Sequence, residues 1–387
     1  MNILIYFVKK INPQQGGTER VASNIAFALK KRGHNVYCTH KIEDKEDYGF
    51  ESFLMPSKEG NCKQNIDFIS NLIYRLNIDI IINESGESED VYLFSKENFK
   101  DTYIITHLHF SPYISYKYFY KQLDLPILSK NSFVNLLKLI KAPYNRWRMI
   151  KNCAKRYKYT ILNSDKVVTL APSYIDEMKT ISGLNFANNI CSIYNPTTFN
   201  NIKYDVSEKE NIILYVGRLT YGQKRVDLLL NIWEKVQYNL KGWKLIIVGD
   251  GPDSQNLKKI CIKKKLNEVY FEGSQNPESY YKRAKILCMT SVYEGTPMVI
   301  TEAMQYGCVP IIYNTFSAAN DMINNSEDGY LIKPFNSYEY QRAIISLSDD
   351  QMYKKMSQKA YNTLKKYKYN EIINSWENML YELIDIN

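Results

Sequence analysis

Two carboxylates with seven residues between them, Glu294 and Glu302, lie in the stretch SVYEGTPMVITEAMQYGCVP. An apolar run before Glu294 predicts a buried strand, and Thr296 followed by Pro297 is typical of a helix N-cap and first helical residue. The free N–H groups and positive dipole of such a helix start favour a phosphate ligand. Glu302 would then lie roughly 7–8 Å further along the helix, which is about the span from a diphosphate to a ribose.

Glu294 lies in the loop and would face the other side of that phosphate, where a sugar attached to a diphosphate would lie. Solvated surface glutamates are the alternative, and the spacing alone leaves it open. The residues around the pair therefore decide how it is interpreted.

Two cations follow a hydrophobic strand predicted at residues 211–216. Arg218 and Lys224 stand in the loop after it, at the carboxyl edge where parallel sheets bind ligands. An arginine fork and a lysine point charge could neutralise a diphosphate leaving group without a metal. The sequence contains no Asp-x-Asp pair for a divalent cation. The alternative is two solvated surface cations.

The first half of the chain opens with a similar unit. A strand is predicted at residues 2–8, and Gly16 and Gly17 follow in the loop before a helix that Thr18 can cap. Glycines there would let the backbone approach a ligand closely, whereas a plain turn is the alternative. Strand, glycine loop and helix in this order predict a doubly wound α/β unit.

Histidines follow a later strand of the same half. Residues 103–106 predict a strand that leads to His107 and His109, and a strand at 79–83 leads to Glu84. Side chains at the carboxyl ends of parallel strands share one edge of a sheet, where loops carry function. A structural histidine is the alternative for each.

The 387 residues exceed one ordinary core and predict two domains of similar size. The seven cysteines are scattered without a C-x-x-C pair, which predicts reduced thiols, no metal framework and a cytoplasmic protein. No apolar run of about 18 residues is present, and the N-terminus is predicted to be a strand rather than a signal peptide. The net charge of +9 suggests an anionic partner.

Several motifs carry a resemblance to a known family. The block EGTP with its second glutamate and GCVP resembles the Glu-x7-Glu signature of retaining glycosyltransferases of family 4. GGTER at the first glycine loop and GRL with the later lysine resemble the corresponding family segments. The resemblance implies the GT-B fold, in which two Rossmann-like doubly wound α/β domains face a central cleft.

The resemblance also implies roles for individual residues. Glu294 would hold donor-sugar hydroxyls, Glu302 the ribose, and Arg218 with Lys224 the diphosphate. The context LHFSP favours His109 over His107 for contacting a sugar hydroxyl, without making it the general base. The other residues expected to bind the donor are Gly16, Gly17, Ser274, Gly295, Thr296 and Pro297. One departure is Arg225, which stands where the family commonly has glycine.

The implied reaction is retaining and metal-independent, with no cofactor besides a nucleotide-sugar co-substrate. The donor is expected to be a UDP-sugar, or else a GDP-sugar, and the acceptor a glycan or lipid-linked saccharide in bacterial cell-surface polysaccharide synthesis. Two alternatives remain open: a GT-B nucleotide-sugar epimerase, and a non-catalytic nucleotide-sugar-binding partner of another transferase.

The predicted organisation has an acceptor-binding domain at 1–198, with a last strand at 165–170, and a linker at 199–210. A nucleotide-sugar domain at 211–368 follows, and a helix at 369–387 is expected to pack back on the first domain. The region 138–158 is basic with interleaved aromatic residues, which suits an anionic membrane surface. A solvated helix face with aromatic core residues is the alternative. No nucleic-acid recognition motif accompanies it, so we expect no nucleic acid partner and, at most, peripheral attachment to the inner face of the membrane.

Overall fold

The computed structural model describes the chain except residues 14–15, 45–47, 114–118, 120–131, 200–201 and 386–387, and the side chains of 132–139 and 385. The chain divides into two compact units. The first comprises Met1–Pro112, Arg148–Pro196 and Tyr369–Asn387, and the second comprises Tyr113–Trp147 and Thr197–Lys368.

Strands and helices alternate along most of the described chain. The strands are β1 Asn2–Tyr6, β2 Asn35–His40, β3 Glu51–Leu54, β4 Ile80–Asn83, β5 Tyr103–His107, β6 Lys166–Thr169, β7 Ile190–Ser192, β8 Glu210–Val216, β9 Lys244–Val248, β10 Val269–Gly273, β11 Ala284–Met289, β12 Val309–Tyr313 and β13 Tyr330–Ile332. The α-helices are α1 Gly17–Lys31, α2 Lys63–Leu76, α3 Ser132–Asn163, α4 Pro172–Ser182, α5 Val226–Val236, α6 Ser254–Lys264, α7 Glu278–Arg283, α8 Met298–Gln305, α9 Ala318–Met322, α10 Ser337–Ser346, α11 Asp350–Thr363 and α12 Tyr369–Asp385. Short 3₁₀ turns span Glu89–Leu93 and Leu364–Tyr367.

The first unit is built on a parallel sheet in the order β3-β2-β1-β4-β5-β6-β7. The central strands are apolar on both faces and buried, as a parallel sheet covered by helices requires. Asn83 at the end of β4 is in register with Tyr6 of β1 and Thr106 of β5. The loops after these three strands therefore leave the sheet at one edge.

The second unit has its own parallel sheet, in the order β10-β9-β8-β11-β12-β13. Helix α5 packs its apolar face on this sheet, and Trp233 lies in the resulting core. The loops after β8 and β9 touch closely, because a Cβ on Gly249, whose φ is +131°, would lie 2.0 Å from the carbonyl oxygen of Gly217. This contact requires glycine at 249 and sets the path of the loop that carries Arg218.

The predicted fold class, two doubly wound α/β units, is confirmed by these sheets. The prediction that the strand at 165–170 is the last of the first half was wrong, because β7 adds a parallel neighbour at residues 190–192. Only three residues long, β7 is too short for sequence periodicity to indicate. The strand predicted at 2–8 ends at Tyr6.

Helix α12 completes the first unit from the far end of the chain. Its Trp376 and Leu380 are buried, and its exposed side is tied to α1 and the residues that follow it. Arg32 forms an ion pair with Glu377 and donates a 2.7 Å hydrogen bond to Asn374. The first unit therefore includes a helix from the C-terminal end of the chain.

Candidate functional site

Glu294 and Lys224 form a short ion pair in the second unit. Glu294 follows β11 in a buried loop, and the Lys224 ammonium donates to its Oε1 at 2.6 Å. Gln223 lies 3.5 Å from the second carboxylate oxygen. The hydroxyl of Thr290 accompanies this pair by donating to the carbonyls of Lys224 and Arg225. Two residues that the sequence predicts in one site are therefore in direct contact.

Arg218 stands at the carboxyl end of β8 with its side chain exposed. Within the described residues no acidic side chain pairs with its guanidinium. Its carbonyl accepts a 3.2 Å hydrogen bond from the hydroxyl of Tyr215, which holds the backbone there. The guanidinium is thus the cation of this loop that remains available for an anionic ligand, whereas the Lys224 ammonium is already paired.

Arg225 explains how the chain replaces the expected glycine. Its backbone is left-handed, with φ 49° and ψ 46°, which is the conformation that glycine adopts most easily. Two guanidinium hydrogen bonds of 2.9 Å to Asp227 and a stacked position 4.6 Å over the Tyr221 ring secure the side chain. The loop path is therefore that of a glycine although the residue is arginine.

Glu302 lies on α8 and is almost fully buried, with 2% of its surface exposed. The hydroxyl of Thr198 donates to Oε1 at 2.7 Å, and the hydroxyl of Tyr281 donates to Oε2 at 3.0 Å. The carboxylate is thus held in one orientation by hydroxyls on both of its oxygens.

The start of α8 differs by one residue from the prediction. Pro297 is the N-cap, with φ −66° and ψ 114°, and the helix begins at Met298. Thr296 therefore precedes the cap instead of forming it. Gly295, Thr296 and Pro297 are all buried, whereas Ser274 is exposed directly after β10.

The helix after the glycine loop of the first unit starts two residues earlier than predicted. Gly16 is the extended N-cap of α1, and the helix begins at Gly17, so Thr18 lies inside the first turn and does not cap it. A Cβ added to Gly17 would meet no atom within 4 Å. The α-carbon of Gly17 consequently faces open space, as a ligand contact requires.

His109 belongs to a buried cluster at the edge of the first sheet. The Oε2 of Glu84 lies 2.8 Å from the Nδ1 of His107 and 2.8 Å from the Nε2 of His109. The two imidazole rings are 4.3 Å apart, and His107 packs edge-on against Trp376 at 5.0 Å. Glu87 accepts hydrogen bonds from the backbone N–H groups of His109 and Phe110.

The members of this cluster have pKa values that are shifted in different directions. Burial opposes the charge of Glu84, but the two histidines outweigh it and hold its pKa at about 2. Burial lowers the pKa of His107. Burial also opposes the charge of His109, yet Glu84 and Glu87 raise the pKa of His109 above its ordinary value. One histidine is thus biased towards the neutral form and the other towards the cation.

Comparisons with known proteins show which proteins this chain resembles. Residues 197–363 match the sequence model of the family described as glycosyl transferases group 1. A Haemophilus influenzae protein named an uncharacterized glycosyltransferase is 29% identical over 384 residues, which is 97% of this chain and 99% of the relative. The amylovoran biosynthesis glycosyltransferase AmsD of Erwinia amylovora is 30% identical over 224 residues, or 56% of this chain and 62% of AmsD.

Two solved structures resemble the whole chain. The apo form of the lipopolysaccharide outer core galactosyltransferase WaaB is 21% identical, with a TM-score of 0.72 over 99% of both chains. Anabaena HepE in complex with UDP is 16% identical, with a TM-score of 0.75 over 99% of this chain and 100% of HepE. The matches support a glycosyltransferase with the GT-B fold.

The sequence prediction left out the residues that hold the site residues in place. Glu84, Thr198, Tyr281 and Gln223 were not assigned, and His107 was ranked below His109 although both contact Glu84. Glu84 and the histidines could have been combined, because each follows an apolar strand and adjacent parallel strands end at one edge. Thr198 and Tyr281 contact Glu302 from distant parts of the sequence, which no local pattern indicates.

The predicted basic region lies on helix α3. Ile140, Tyr144 and Trp147 are each more than half exposed, whereas Tyr157 is buried in the core of the first unit. The side chain of Lys138, part of the predicted basic region, lies outside the described residues. Among the described helices, none is long and apolar enough to cross a membrane.

Proposed function

We propose that this chain is a retaining glycosyltransferase that moves a sugar from a nucleotide-sugar, preferably a UDP-sugar, to a glycan or lipid-linked acceptor. The second unit would bind the donor and the first unit the acceptor. The HepE structure, which contains UDP, supports the donor class. The relative named for amylovoran biosynthesis supports a setting in polysaccharide synthesis.

The buried Glu294–Lys224 pair beside an exposed Arg218 carries this proposal. Transfer of a sugar from a nucleotide-sugar needs a hydrogen-bond acceptor for the sugar hydroxyls and a cation near the departing diphosphate. Lys224 holds the Glu294 carboxylate ready for the hydroxyls, and Arg218 supplies a planar fork for phosphate oxygens. Preorganised charge at a developing anion is usually the largest single catalytic contribution.

Glu302 would bind the ribose hydroxyls of the nucleotide. Thr198 and Tyr281 fix its carboxylate from both sides, so the orientation is set before a ligand arrives. Because the exposed Arg218 guanidinium supplies a positive charge for the leaving diphosphate, we propose that transfer requires no metal. The acceptor hydroxyl would attack on the face that the diphosphate leaves, and a donor phosphate oxygen would take its proton.

A thermal-shift series with UDP-, GDP- and ADP-sugars, run in EDTA, tests donor class and metal dependence together. We expect UDP-sugars to stabilise the wild type, and this stabilisation should be lost in Glu302→Ala. It should be retained in the control Glu234→Gln, because Glu234 on α5 forms an ion pair with Lys264 on α6. Stabilisation that appears only after a divalent cation is added would overturn the metal-free proposal. No shift with any of the sugars would contradict nucleotide-sugar binding.

Steady-state kinetics then separate binding from catalysis. Glu302→Ala should raise the donor KM, because the ribose contact is made equally in the ground state and the transition state. Arg218→Ala should mainly lower kcat, because charge on the leaving diphosphate grows only in the transition state. An unchanged kcat in Arg218→Ala would refute the leaving-group role.

We also propose that α3 attaches the enzyme to an anionic membrane surface. Its exposed Tyr144 and Trp147 stand among exposed lysines and arginines, a combination suited to the lipid interface. Sedimentation with vesicles containing about one-third anionic lipid should recover the protein at low salt and release it at high salt. Replacing Tyr144 and Trp147 with serine should reduce binding, and equal recovery on neutral vesicles would contradict the charge contribution.

The alternatives of an epimerase and a non-catalytic partner gain no support from relatives that are named as glycosyltransferases. An epimerase would convert the free nucleotide-sugar with no acceptor present. Product analysis of the same reactions by mass spectrometry and NMR distinguishes it from transfer.

A further inference from the structure

The cluster of Glu84, His107 and His109 has a hydrogen-bond pattern that constrains its protons. One carboxylate oxygen, Oε2, meets a nitrogen of each imidazole at 2.8 Å. The pKa of Glu84 is held at about 2, and an ionised carboxylate only accepts hydrogen bonds. The Nδ1 of His107 and the Nε2 of His109 therefore both carry a proton. The proton positions on two rings are thereby fixed by one side chain.

The remaining ring nitrogens differ. The Nε2 of His107 is buried and has no partner among the described residues, and the ring edge lies against Trp376. A second proton there would place an unpaired charge in an apolar environment, which is costly. His107 is therefore neutral and acts as a fixed donor that holds the Glu84 carboxylate.

His109 has a different electrostatic environment. The acidic groups that act on it are Glu84, Glu87 and Glu19. The ring of His107 is its neighbour, at 4.3 Å. Burial disfavours the cation, but these carboxylates outweigh it and raise the pKa of His109. Glu87 itself has a raised pKa because of burial, so Glu84 is the dominant fixed negative charge.

A metal ion would require another geometry. The three side chains could offer ligand atoms that all lie within 4.8 Å of one another. Two ligands on tetrahedral zinc, at bond lengths of about 2.0–2.1 Å, are about 3.3 Å apart, and both imidazole nitrogens must be deprotonated. The observed 2.8 Å separations are those of charge-assisted hydrogen bonds.

We propose that Glu84 is a positioning residue that holds His109 as an imidazolium in one orientation, so that its Nδ1–H donates to a hydroxyl or phosphate oxygen of the saccharide substrate. Only the identity of the ligand rests on the proposed function. The imidazolium has no lone pair, so His109 stabilises an oxygen and does not act as a general base.

Histidine NMR tests the protonation directly, because the chain has only four histidines, at 34, 40, 107 and 109. The protein is labelled with ¹⁵N-histidine and assigned through single His→Asn variants. At pH 6.5, where an ordinary imidazole is about half protonated, His109 should show mainly the imidazolium pattern, and His107 mainly the neutral pattern with the proton on Nδ1. In Glu84→Gln, His109 should titrate about 1–3 pH units lower.

The controls keep the outcome independent of sugar transfer. Glu177→Gln alters another buried carboxylate of the first unit, which accepts a hydrogen bond from Ser111, and should leave the His109 titration unchanged. If Glu84→Gln does not fold, the wild-type spectrum decides. A predominantly neutral His109 in the wild type at pH 6.5, or a His109 titration unmoved in folded Glu84→Gln, would overturn the proposal.

Kinetics and metal analysis complete the test. The high-pH limb of kcat/KM should move down by the same amount in Glu84→Gln as the NMR titration, a shift that a merely structural role would not produce. Stoichiometric zinc in the purified protein, with histidine signals that change on chelation, would replace the proposal with a metal site. If the NMR pattern holds but no sugar is transferred, the proposed function fails while the role of Glu84 stands.

Discussion

Each unit buries a carboxylate after a parallel strand, and the two units satisfy it with different partners. In the second unit Glu294 faces the ammonium of Lys224, whose side chain is 18% exposed. In the first unit Glu84 faces two imidazoles whose side chains are 1% and 3% exposed. Imidazoles change charge between pH 5 and 8, so only the first cluster has partners that titrate in the physiological range.

The difference separates two ways of preparing a carboxylate. A lysine gives a strong, permanent charge but little geometric restriction, because its stem is flexible. Two rigid imidazoles give geometry and a charge that depends on pH. The first unit therefore contains a buried carboxylate whose partners can change charge near neutral pH.

The largest difference should appear in stability. Glu84→Ala leaves two buried imidazoles without an acceptor and should lower the free energy of unfolding by about 3–5 kcal/mol. Glu294→Ala should cost less, about 1–2 kcal/mol, because Lys224 can turn to solvent. Urea unfolding followed by circular dichroism measures both, with Glu234→Ala as the surface control. Equal losses would remove the distinction between the two clusters.

The second expected effect concerns activity and the ion pair of the second unit. Lys224→Met leaves Glu294 buried without its cation and should lower kcat/KM by about 10²–10³-fold, as the loss of one preorganised electrostatic contact does. Lys264→Met, which removes a surface pair with Glu234, is the matched control. A tenfold or smaller loss in Lys224→Met would show that the ion pair does not orient the carboxylate.

The pH dependence of stability should distinguish the first cluster. The pKa of Glu84 is depressed to about 2, so its contribution is present above the unfolded value of about 4.3 and is lost as pH falls towards 2. The pKa of His109 is raised, so its contribution is present below about 6.5 and is lost as pH rises through the folded value. The depressed pKa of His107 acts in the opposite sense, with a contribution lost on acidification.

The melting temperature of the wild type should accordingly exceed that of Glu84→Gln most between about pH 4.3 and 6.5. The difference between the two melting temperatures should become smaller below and above this pH range. Differential scanning fluorimetry across pH 3–9 measures it. A gap that stays constant over the whole range would mean that the cluster contributes no linked protons.

The smallest effect concerns the loop beside the lysine. Arg225→Gly loses two hydrogen bonds to Asp227 but relieves a left-handed backbone, so the net change should be within about 1 kcal/mol. Arg225→Ala loses the bonds and keeps the strain, so it should be less stable than Arg225→Gly by about 1 kcal/mol. Thermal unfolding of the two variants checks this order, and an equally stable alanine variant would remove the role of backbone strain.

Sequence periodicity predicted most strands of both sheets because buried parallel strands are continuous apolar runs, as at residues 211–216 and 244–248. It did not predict β3, which is only partly buried, or β7, which is three residues long. Helix starts were misplaced by one or two residues at Gly17 and Met298, because the residue types at a cap favour a position without fixing it.

The chemistry of the site was predicted from residue types at strand ends, and the structure adds the partners. Lys224 was assigned to a phosphate, and its contact with Glu294 depends on a loop path set by Gly249 and Arg225 that sequence spacing does not encode. The shared role of Glu84 depends on the register between β4 and β5, which is a property of the assembled sheet.

The packing of Trp376 against His107 has a consequence for synthesis. The cluster that orients His109 is closed by a helix encoded some 270 residues later, so a ribosome must translate that helix before the first unit can complete its sheet edge. Until then the N-terminal segment would expose an incompletely covered apolar surface, which makes it a candidate for chaperone binding. Nascent chains arrested before residue 369 should therefore lack the ordered histidine pair.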